Sequence, residues 1–374
     1  MRRLRSPLIV LALLLMAVPS AASAREMEVA MQDDLTILNT EHDRDLALIQ
    51  FSGMGGTHVR MTIEHSRERK ARRDTRFADG SSRLPVRFYD EAVDRVLEFG
   101  LVPEITLFWR NEANPKRLSA WMGNVARHFG GRVNRYSIHN EPDLYLPEPR
   151  CNAARQQALA SAFPGRMTRE AGELVAKVKT RPGFVSLKRA CQRYQRGRQY
   201  KRLFGPSARA VRKANRGVEI LAGETSPVRG VDWFFIGAQA RKLNADGWAH
   251  HPFQFQNLNP SKPTESWGIG NLRLLKRTVR MPVYLTEFGY PRPNSSMDRR
   301  EYGRRLSEDE VARAYVKAWQ VARRAGARQM LHFQWFVKRK PIRGEFWDTA
   351  LNGKDDGTYT PMYRALRRLI LSWR

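Results

Sequence analysis

Cysteine is scarce in this chain, which has only two, Cys151 and Cys191, among 374 residues. So few thiols exclude a disulfide-scaffold protein and a zinc site built from four thiolates. The sequence also contains no internal repeat, no low-complexity tract and no glycine-rich phosphate turn after its first predicted strand. The chain is too long for a small binding module and short enough for one large domain.

Acidic residues are outnumbered by basic ones. The chain carries 66 Lys and Arg against 37 Asp and Glu, which gives a formal net charge of +29 at pH 7. That charge concerns solubility and binding partners and says nothing about the fold. Apolar residues make up 42% of the sequence, enough to bury a sizeable core and to exclude wholesale disorder.

The amino terminus has the pattern of a secretory signal. Three arginines in the first five residues precede an apolar run at residues 8–18, and small residues follow up to Ala24. A membrane-spanning helix needs roughly 20 apolar residues, so an uncleaved anchor is the weaker alternative. We predict a signal peptide over residues 1–24, removed near Ala24, and a secreted protein.

Short β-branched or aromatic runs alternate with helical patterns along the rest of the chain. Eight strands, each followed by a helical stretch, are the number found in a (β/α)8 barrel. A doubly wound open sheet is the alternative, but it usually carries the phosphate turn that is missing here. We therefore predict one α/β domain over residues 25–374, a TIM barrel. The predicted strands are residues 29–31, 57–62, 102–108, 134–139, 218–222, 248–250, 282–286 and 329–333.

Three helices have distinct sequence signals. Apolar residues recur at helical spacing over residues 86–99 and 308–325, and the chain closes with an apolar and basic helix from Pro361 to Leu371. Ser307 and Glu310 form a capping-box pattern that marks the start of the second helix.

Two predicted loops are long, and both would leave the carboxyl ends of barrel strands, the edge that carries active sites. Residues 64–85 follow the second strand, although their composition equally fits a disordered surface segment. Residues 142–195 form a long insertion after the fourth strand. In an exported protein, Cys151 and Cys191 of this insertion are expected to pair, although their spacing alone does not establish the bond.

Two glutamates follow predicted strands on nearly opposite sides of the barrel mouth. Glu141 comes after the fourth strand within Asn-Glu-Pro, and Glu287 comes after the seventh within Thr-Glu-Phe-Gly. Cleavage of a glycosidic bond requires such a pair, because one carboxylic acid protonates the leaving oxygen while one carboxylate attacks the anomeric carbon or activates water. Either glutamate alone would most often be a surface residue, so the hypothesis depends on the pair.

These motifs resemble the signature of the retaining glycoside hydrolases of clan A, the 4/7 superfamily. The strand order extends the resemblance over the whole mature chain, and residues 218–224 and 249–253 are similar to strands five and six of cellulase-like and xylosidase-like members. The resemblance implies a (β/α)8 barrel that hydrolyses O-glycosidic bonds of a polysaccharide or oligosaccharide, β-linked, by double displacement. It implies no cofactor.

The resemblance also implies roles for single residues. Glu141 would be the general acid/base and Glu287 the nucleophile. Asn140 would hydrogen-bond the sugar 2-hydroxyl. Arg60, at the end of strand two, would hold Glu287 ionised, because a guanidinium depresses the pKa of a neighbouring carboxyl group. A surface arginine is the alternative for Arg60.

Two tryptophans are candidates for contact with substrate. Trp335, after the eighth strand, resembles the aromatic floor on which the sugar ring rests in this clan, since a ring face suits the apolar side of a pyranose. Packing in the core is the alternative for Trp335. Trp109, directly after the third strand, is the second candidate.

One group expected from the clan is missing. A tyrosine near the end of strand six often hydrogen-bonds the nucleophile, but the matching stretch offers Phe253, which cannot. His250 or His251 is a candidate for that role and for substrate contact, and Tyr284 and Tyr290 are the alternatives. Neighbouring histidine side chains diverge and no third ligand is evident, so no metal site is expected.

Two other functions are open on the sequence alone. A catalytically inactive carbohydrate-binding or cell-surface protein could use the same barrel, because fold does not determine function. A nucleic-acid binder is suggested by basic clusters such as residues 67–73, but no aromatic-interleaved stripe accompanies them, so no specific nucleic-acid partner is expected. The charge instead predicts electrostatic adhesion to anionic cell-wall polymers, or a substrate with carboxylate or phosphate groups.

Overall fold

The computed structural model describes twelve stretches of the chain. They are residues 26–38, 43–65, 76–77, 80–81, 84–110, 114–166, 177–179, 184–254, 258–292, 305–336, 349–352 and 358–374. The predicted signal peptide at residues 1–24 lies outside them, as does most of the predicted loop at residues 64–85. Within these stretches, no helix is both long enough and apolar enough to cross a bilayer.

Eight parallel strands close into a barrel, which confirms the predicted fold. Each strand pairs with its neighbours in chain order, and the last pairs with the first, register Glu28 to Gln329. All eight predicted strands are present, with ends that differ by at most a few residues. They are β1 (Glu28–Gln32), β2 (His58–Glu64), β3 (Val102–Phe108), β4 (Arg135–Ile138), β5 (Glu219–Thr225), β6 (Gly247–His250), β7 (Val283–Leu285) and β8 (Gln329–Phe333).

Helices surround the barrel and bury their apolar faces against it. The predicted capping box is present, since Ser307 Oγ accepts from the Glu310 backbone while the Glu310 side chain accepts from the Ser307 backbone. The helices are α1 (Asp34–Ile37), α2 (Arg44–Gly53), α3 (Val86–Glu98), α4 (Pro115–Phe129), α5 (Pro142–Tyr145), α6 (Ala153–Ala162), α7 (Leu187–Ala214), α8 (Val231–Ala238), α9 (Leu272–Val279), α10 (Glu308–Arg324) and α11 (Pro361–Leu371). In the described stretches, 3-10 turns lie at Gly130–Arg132, Pro164–Arg166, Ala240–Lys242 and Ile269–Asn271.

The amino-terminal end of the barrel is closed by charged side chains. Arg135 of β4 donates to Glu28, Glu104 and Glu219, which lie on β1, β3 and β5. Its guanidinium carbon also lies 4.8 Å from the centre of the Tyr284 ring. One arginine therefore ties four strands together at this end, while the polar side chains of the strand ends gather at the other.

The insertion after β4 is fastened by the disulfide that the sequence predicts. Cys151 and Cys191 are bonded with an S–S distance of 2.06 Å. The bond lies in a small apolar cluster with Trp233 of α8, separate from the main core. It joins the segment between α5 and α6 to the second turn of α7, so the insertion is anchored to the outer helices.

Candidate active site

Five polar side chains meet at the carboxyl-terminal end of the barrel. Arg60 projects from β2, and the other four come from the ends of β4, β5, β6 and β7. They are Arg60, Glu141, Glu224, His251 and Glu287. The side chains of Glu141 and Glu287 are 16% and 13% exposed, while the other three are at most 1% exposed. The two glutamates are therefore the members of this group that a ligand can reach.

His251 lies between the two glutamates. Its Nδ1 is 3.2 Å from Glu141 Oε1 and 3.5 Å from Glu287 Oε2. The separation of these two carboxylate oxygens is therefore at most the sum of the two distances. That upper limit allows the separation of about 5–5.5 Å found in retaining glycosidases and excludes most of the roughly 6.5–9.5 Å range found in inverting ones.

Arg60 distinguishes the two glutamates. Its Nη1 donates to Glu287 Oε1 at 2.9 Å, and its Nη2 donates to Asn140 Oδ1 at 2.9 Å and to Glu224 Oε2 at 3.1 Å. Among the contacts of the described residues, Arg60 has none with Glu141. The guanidinium therefore fixes the orientation of Glu287 and favours its ionised form.

Glu224 belongs to the site, although it is not among the residues predicted from the sequence. Its carboxylate is fully buried, and its Oε2 accepts from His251 Nε2 at 2.7 Å and from Thr286 Oγ1 at 2.6 Å, besides Arg60. Its position at the carboxyl end of a barrel strand was the available signal. Glu224 therefore holds the two cations that flank Glu287.

Strand alternation alone would place Glu224 on the wrong side of β5. Glu219 faces the barrel interior, so residue 224 should face outward. The backbone reverses this alternation with φ values of 101° at Gly223 and 47° at Glu224. A Cβ at Gly223 would lie 2.5 Å from Trp248 Cε2, so only glycine fits there.

Mutual contacts set the charges of this buried group. Burial alone would raise the pKa of Glu224, but Arg60 and His251 outweigh burial and lower that pKa to about 2. Burial alone would lower the pKa of His251, but the charge of Glu287 and hydrogen bonds to two other carboxylates raise it to about 10. His251 is therefore an imidazolium at neutral pH. Burial raises the pKa of Glu287, and the charges of His251 and Arg60 oppose that rise.

Backbone strain is concentrated at this end of the barrel. Four non-glycine residues with positive φ lie at the ends of β4, β5 and β8, namely His139 (75°), Glu141 (41°), Glu224 (47°) and Gln334 (68°). Such conformations cost about 1–3 kcal/mol each and persist where surrounding contacts enforce them. Glu141 N donates to Glu224 O at 2.9 Å, so two of these strained turns hold each other.

Asn140 lies beside the two glutamates. Its Oδ1 accepts from Arg60, which fixes the orientation of the amide. The amide nitrogen is then the group that can donate to a sugar hydroxyl, and the role predicted for Asn140 stays a prediction.

His250 faces away from the site. Its Nδ1 lies 2.9 Å from Thr225 Oγ1 and its Nε2 lies 2.6 Å from Trp267 O. Burial lowers its pKa to about 4, so His250 is a neutral core residue. The predicted contact of His250 with substrate is corrected, because side chains alternate along β6 and His251 takes the inward position.

Trp335 and Trp109 are also core residues. Trp335 is 1% exposed and its Nε1 donates to Gln50 of α2 at 3.1 Å. Trp109 is 2% exposed, and its ring stacks on His65 at 3.8 Å between centroids. Both indoles pack between the barrel and its outer helices, so their predicted contacts with substrate are corrected.

A phenylalanine pair borders the site where an aromatic floor was predicted. Phe333, the half-buried last residue of β8, lies 6.2 Å from Phe253 between ring centroids. Phe253 in turn lies 6.5 Å from the His251 ring. Phe333 is therefore better placed than Trp335 to contact a sugar ring.

The two tyrosine candidates for the missing hydrogen bond lie elsewhere. Tyr284 Oη donates to Glu219 at the amino-terminal end of the barrel. Tyr290 packs against Phe288 in the core. Of the four candidates, His251 is the one that the described contacts bring to Glu287.

One group of side chains in the described part of the chain has the spacing of metal ligands. Glu28, His58 and Glu104 lie at the amino-terminal end of the barrel, away from the two glutamates. Arg135 donates to both carboxylates of this group. The arginine therefore supplies the positive charge that a metal ion would bring.

No family model and no curated protein matches the sequence. Solved structures of glycoside hydrolases share its fold. A family 39 glycoside hydrolase from the gut symbiont Bacteroides cellulosilyticus WH2 superposes with a TM-score of 0.60 at 14% identity, over 93% of this chain and 64% of that one. A GH39 β-xylosidase from Caulobacter crescentus gives 0.55 at 14% identity, over 92% and 71%. Xylanase 10B from Thermotoga maritima gives 0.53 at 13% identity, over 93% and 95%.

At these identities the likeness shows the fold alone. The barrel that the resemblance to clan A implies is confirmed by the closed eight-stranded sheet and by these neighbours. The chain spans 64% of the length of the first of them, and its activity is a separate question.

Proposed function

We propose that this chain is a retaining glycoside hydrolase that cleaves β-linked O-glycosidic bonds of an oligosaccharide or polysaccharide. One observation carries the proposal: Glu141 and Glu287, the two partly exposed carboxyl groups of the site, both lie within 3.5 Å of His251 Nδ1. Two carboxyl groups so close together can act on opposite sides of one glycosidic bond.

Glu287 is the nucleophile in this proposal, because Arg60 and His251 both favour its carboxylate. It attacks the anomeric carbon while Glu141 gives its proton to the leaving oxygen, and the C–O bond to the aglycone breaks. Glu141 then takes a proton from water, which displaces Glu287 from the glycosyl-enzyme. Two displacements at one carbon retain its configuration.

Product stereochemistry tests the mechanism. The named neighbours include a β-xylosidase and a xylanase, so aryl β-xylosides and β-1,4-xylo-oligosaccharides are the first substrates, followed by β-glucans, mannans and polyuronates. We expect the first product seen by proton NMR to be the β-anomer. An α-anomer formed first would reassign Glu287 as a base that activates water.

A binding protein on the same barrel is the competing proposal. It predicts saturable glycan binding by calorimetry without release of reducing ends from any of these substrates. The arrangement of Glu141 and Glu287 favours the enzyme, because a binding site does not require two carboxyl groups on either side of a buried imidazolium.

We also propose that the protein is secreted and adheres to anionic cell-wall polymers. The pattern of residues 1–24 supports export, and a basic groove between α10 and α11 supports adhesion. The groove has a volume of about 840 Å³. Its five cations are all exposed, and none pairs with a carboxylate in the described part of the chain. They are Arg313, Lys317, Arg324, Arg364 and Arg368.

Salt dependence tests the adhesion. Binding to a polyuronate resin should weaken steeply as ionic strength rises, because exposed charges are screened within about 10 Å at 0.1 M salt. The triple variant R313Q/R364Q/R368Q should elute at lower salt than R209Q/R216Q/R280Q, which removes three exposed arginines outside the groove. Equal elution of the two variants would show that net charge alone, and no groove, mediates adhesion.

A further inference from the structure

Asp143 is a buried carboxylate that the proposed chemistry does not use. It lies two residues after Glu141, in the first turn of α5, and is fully buried. Its Oδ1 accepts from Ser226 N at 3.1 Å, and its Oδ2 accepts from Ser226 Oγ. Arg193 Nη1 lies 3.5 Å from the same Oδ2. Asp143 therefore joins the end of β4 to the segment after β5 and to α7.

The backbone of Asp143 is held as well as its side chain. Its carbonyl oxygen accepts from Arg193 Nη1 and from Arg196 Nη1, the second at 2.8 Å. Both arginines lie in the second and third turns of α7, directly after Cys191. The disulfide also ties this part of α7 to the segment between α5 and α6, which limits the movement of the two guanidinium groups.

The turn that carries Glu141 needs such support. Glu141 adopts a left-handed conformation with φ 41° and ψ 56°, which a residue with a side chain maintains only under external constraint. The helix that follows, α5, has only four residues and is too short to be stable alone. Asp143 contacts both the segment after β5 and α7.

We infer that Asp143 is a positioning residue: it holds the Glu141 carboxyl group against His251, so that Glu141 can act as acid and base. The inference rests on the proposed function. It adds to that proposal a cluster, formed by Asp143, Ser226, Arg193 and Arg196, that sets the geometry of the general acid without touching the substrate.

The variant Asp143→Asn tests the inference. Its amide would place N–H groups against the donors of Ser226 and Arg193, so the turn should shift. We expect kcat to fall about 10- to 100-fold for glycosides with poor leaving groups, since a displacement of about 1 Å costs that much, with little change in KM. Dinitrophenyl glycosides, whose aglycone departs without protonation, should keep a kcat/KM near the wild-type value, because kcat/KM reports the first displacement alone.

A further readout separates positioning from general damage. Azide should accelerate turnover of dinitrophenyl glycosides by the variant and not by the wild type, because azide replaces the water that a displaced Glu141 fails to activate.

Ser226→Ala is a second test of the inference, and Asp246→Asn is its control. Ser226→Ala removes one hydroxyl donor and should give the same pattern, weakened to roughly three- to tenfold. Asp246 is a matched control, because it also accepts from a backbone N–H, of Ile220, and pairs with an arginine, Arg212, at the amino-terminal end of β5. Its variant should keep wild-type kinetics.

The outcomes separate this inference from the proposed function. Equal losses of kcat/KM for good and poor leaving groups, or unchanged kinetics in folded Asp143→Asn, would overturn the positioning role and leave the glycosidase proposal intact. A wild-type protein without activity on any glycoside would overturn both. A crystal structure of Asp143→Asn with Glu141 still in contact with His251 would refute the positioning role without any activity measurement.

Discussion

Replacing Glu287 with glutamine should lower kcat by roughly 10⁴- to 10⁶-fold while the protein stays folded, because loss of a nucleophile removes the first displacement entirely. The Glu287 side chain is partly exposed, and one of its two oxygens, Oε1, accepts a hydrogen bond from Arg60. An amide of the same shape can accept that bond, so the barrel should tolerate it. Steady-state kinetics on an aryl β-glycoside, with circular dichroism for the fold, measure both expectations.

Azide distinguishes the two glutamates. In Glu287→Ala, azide can enter from the side that the carboxylate vacated, and one displacement gives a glycosyl azide of inverted configuration. In Glu141→Ala, azide attacks the glycosyl-enzyme, and the product keeps the configuration of the substrate. Glu98→Gln, on an exposed carboxylate paired with Arg95, controls for the change in net charge. Retained turnover in Glu287→Gln would end the assignment.

The pH profile of the wild type gives a further check on Glu287. Burial raises its pKa above the ordinary value of 4.5, and the cations beside it oppose the rise. A nucleophile must be ionised, so kcat/KM should fall as the pH drops through a value above 4.5. Because Glu141 and Glu287 lie close together, that value belongs to the pair.

The barrel and the proximity of Glu141 and Glu287 could be predicted from the sequence, because both depend on local signals in regular positions. Each strand is a short apolar run, and Glu141 and Glu287 each come directly after one. Parallel strands bring their carboxyl ends to one edge, so position after a strand predicts proximity. The disulfide could be expected from another local signal, because the export pattern at the amino terminus predicts an oxidising compartment.

Side-chain direction at the strand ends could not be predicted in the same way. The alternation along β6 gives His251 rather than His250 once Ala249 is known to face inward, but the sequence does not show which face is which. Glu224 breaks the alternation through positive φ at Gly223 and at itself. Trp335 satisfied a family pattern and is nevertheless packed against α2, because a hydrogen bond to Gln50 is available there.

Glu224→Gln should be the most damaging substitution at a residue that does not touch the substrate. Glu224 is the shared acceptor of Arg60 and His251, at 3.1 Å and 2.7 Å. An amide would leave two buried cations without their common counter-charge and would direct N–H groups at their donors. Breaking a buried pair in this way costs about 3–5 kcal/mol, and we expect urea unfolding to show a loss of that order.

Activity should fall together with stability in Glu224→Gln. Arg60 and His251 position Glu287, and a shift of about 1 Å in them costs on the order of 100-fold in rate. Glu219→Gln is the matched control, because Glu219 lies on the same strand and also binds an arginine, Arg135, at the opposite end of the barrel. It should reduce stability and leave kcat and KM unchanged. Equal kinetic losses in the two variants would show that Glu224 acts only through the fold.

Glu224 and His251 should make the stability of the fold depend on pH in opposite directions. The pKa of Glu224 is lowered from 4.5 to about 2, so its contribution is present above pH 4.5 and is lost as pH falls through 2. The pKa of His251 is raised from 6.5 to about 10, so its contribution is complete below pH 6.5 and is lost as pH rises through 10. Together these groups favour the folded state most between pH 4.5 and 6.5. In Glu224→Gln the acid loss from this residue should vanish. The alkaline loss should still begin near pH 6.5 but should be complete at lower pH, because His251 has one carboxylate fewer to hold its proton. Urea midpoints measured from pH 3 to 10 test both limbs, and a variant whose alkaline limb coincides with that of the wild type would show that Glu224 does not hold the proton on His251.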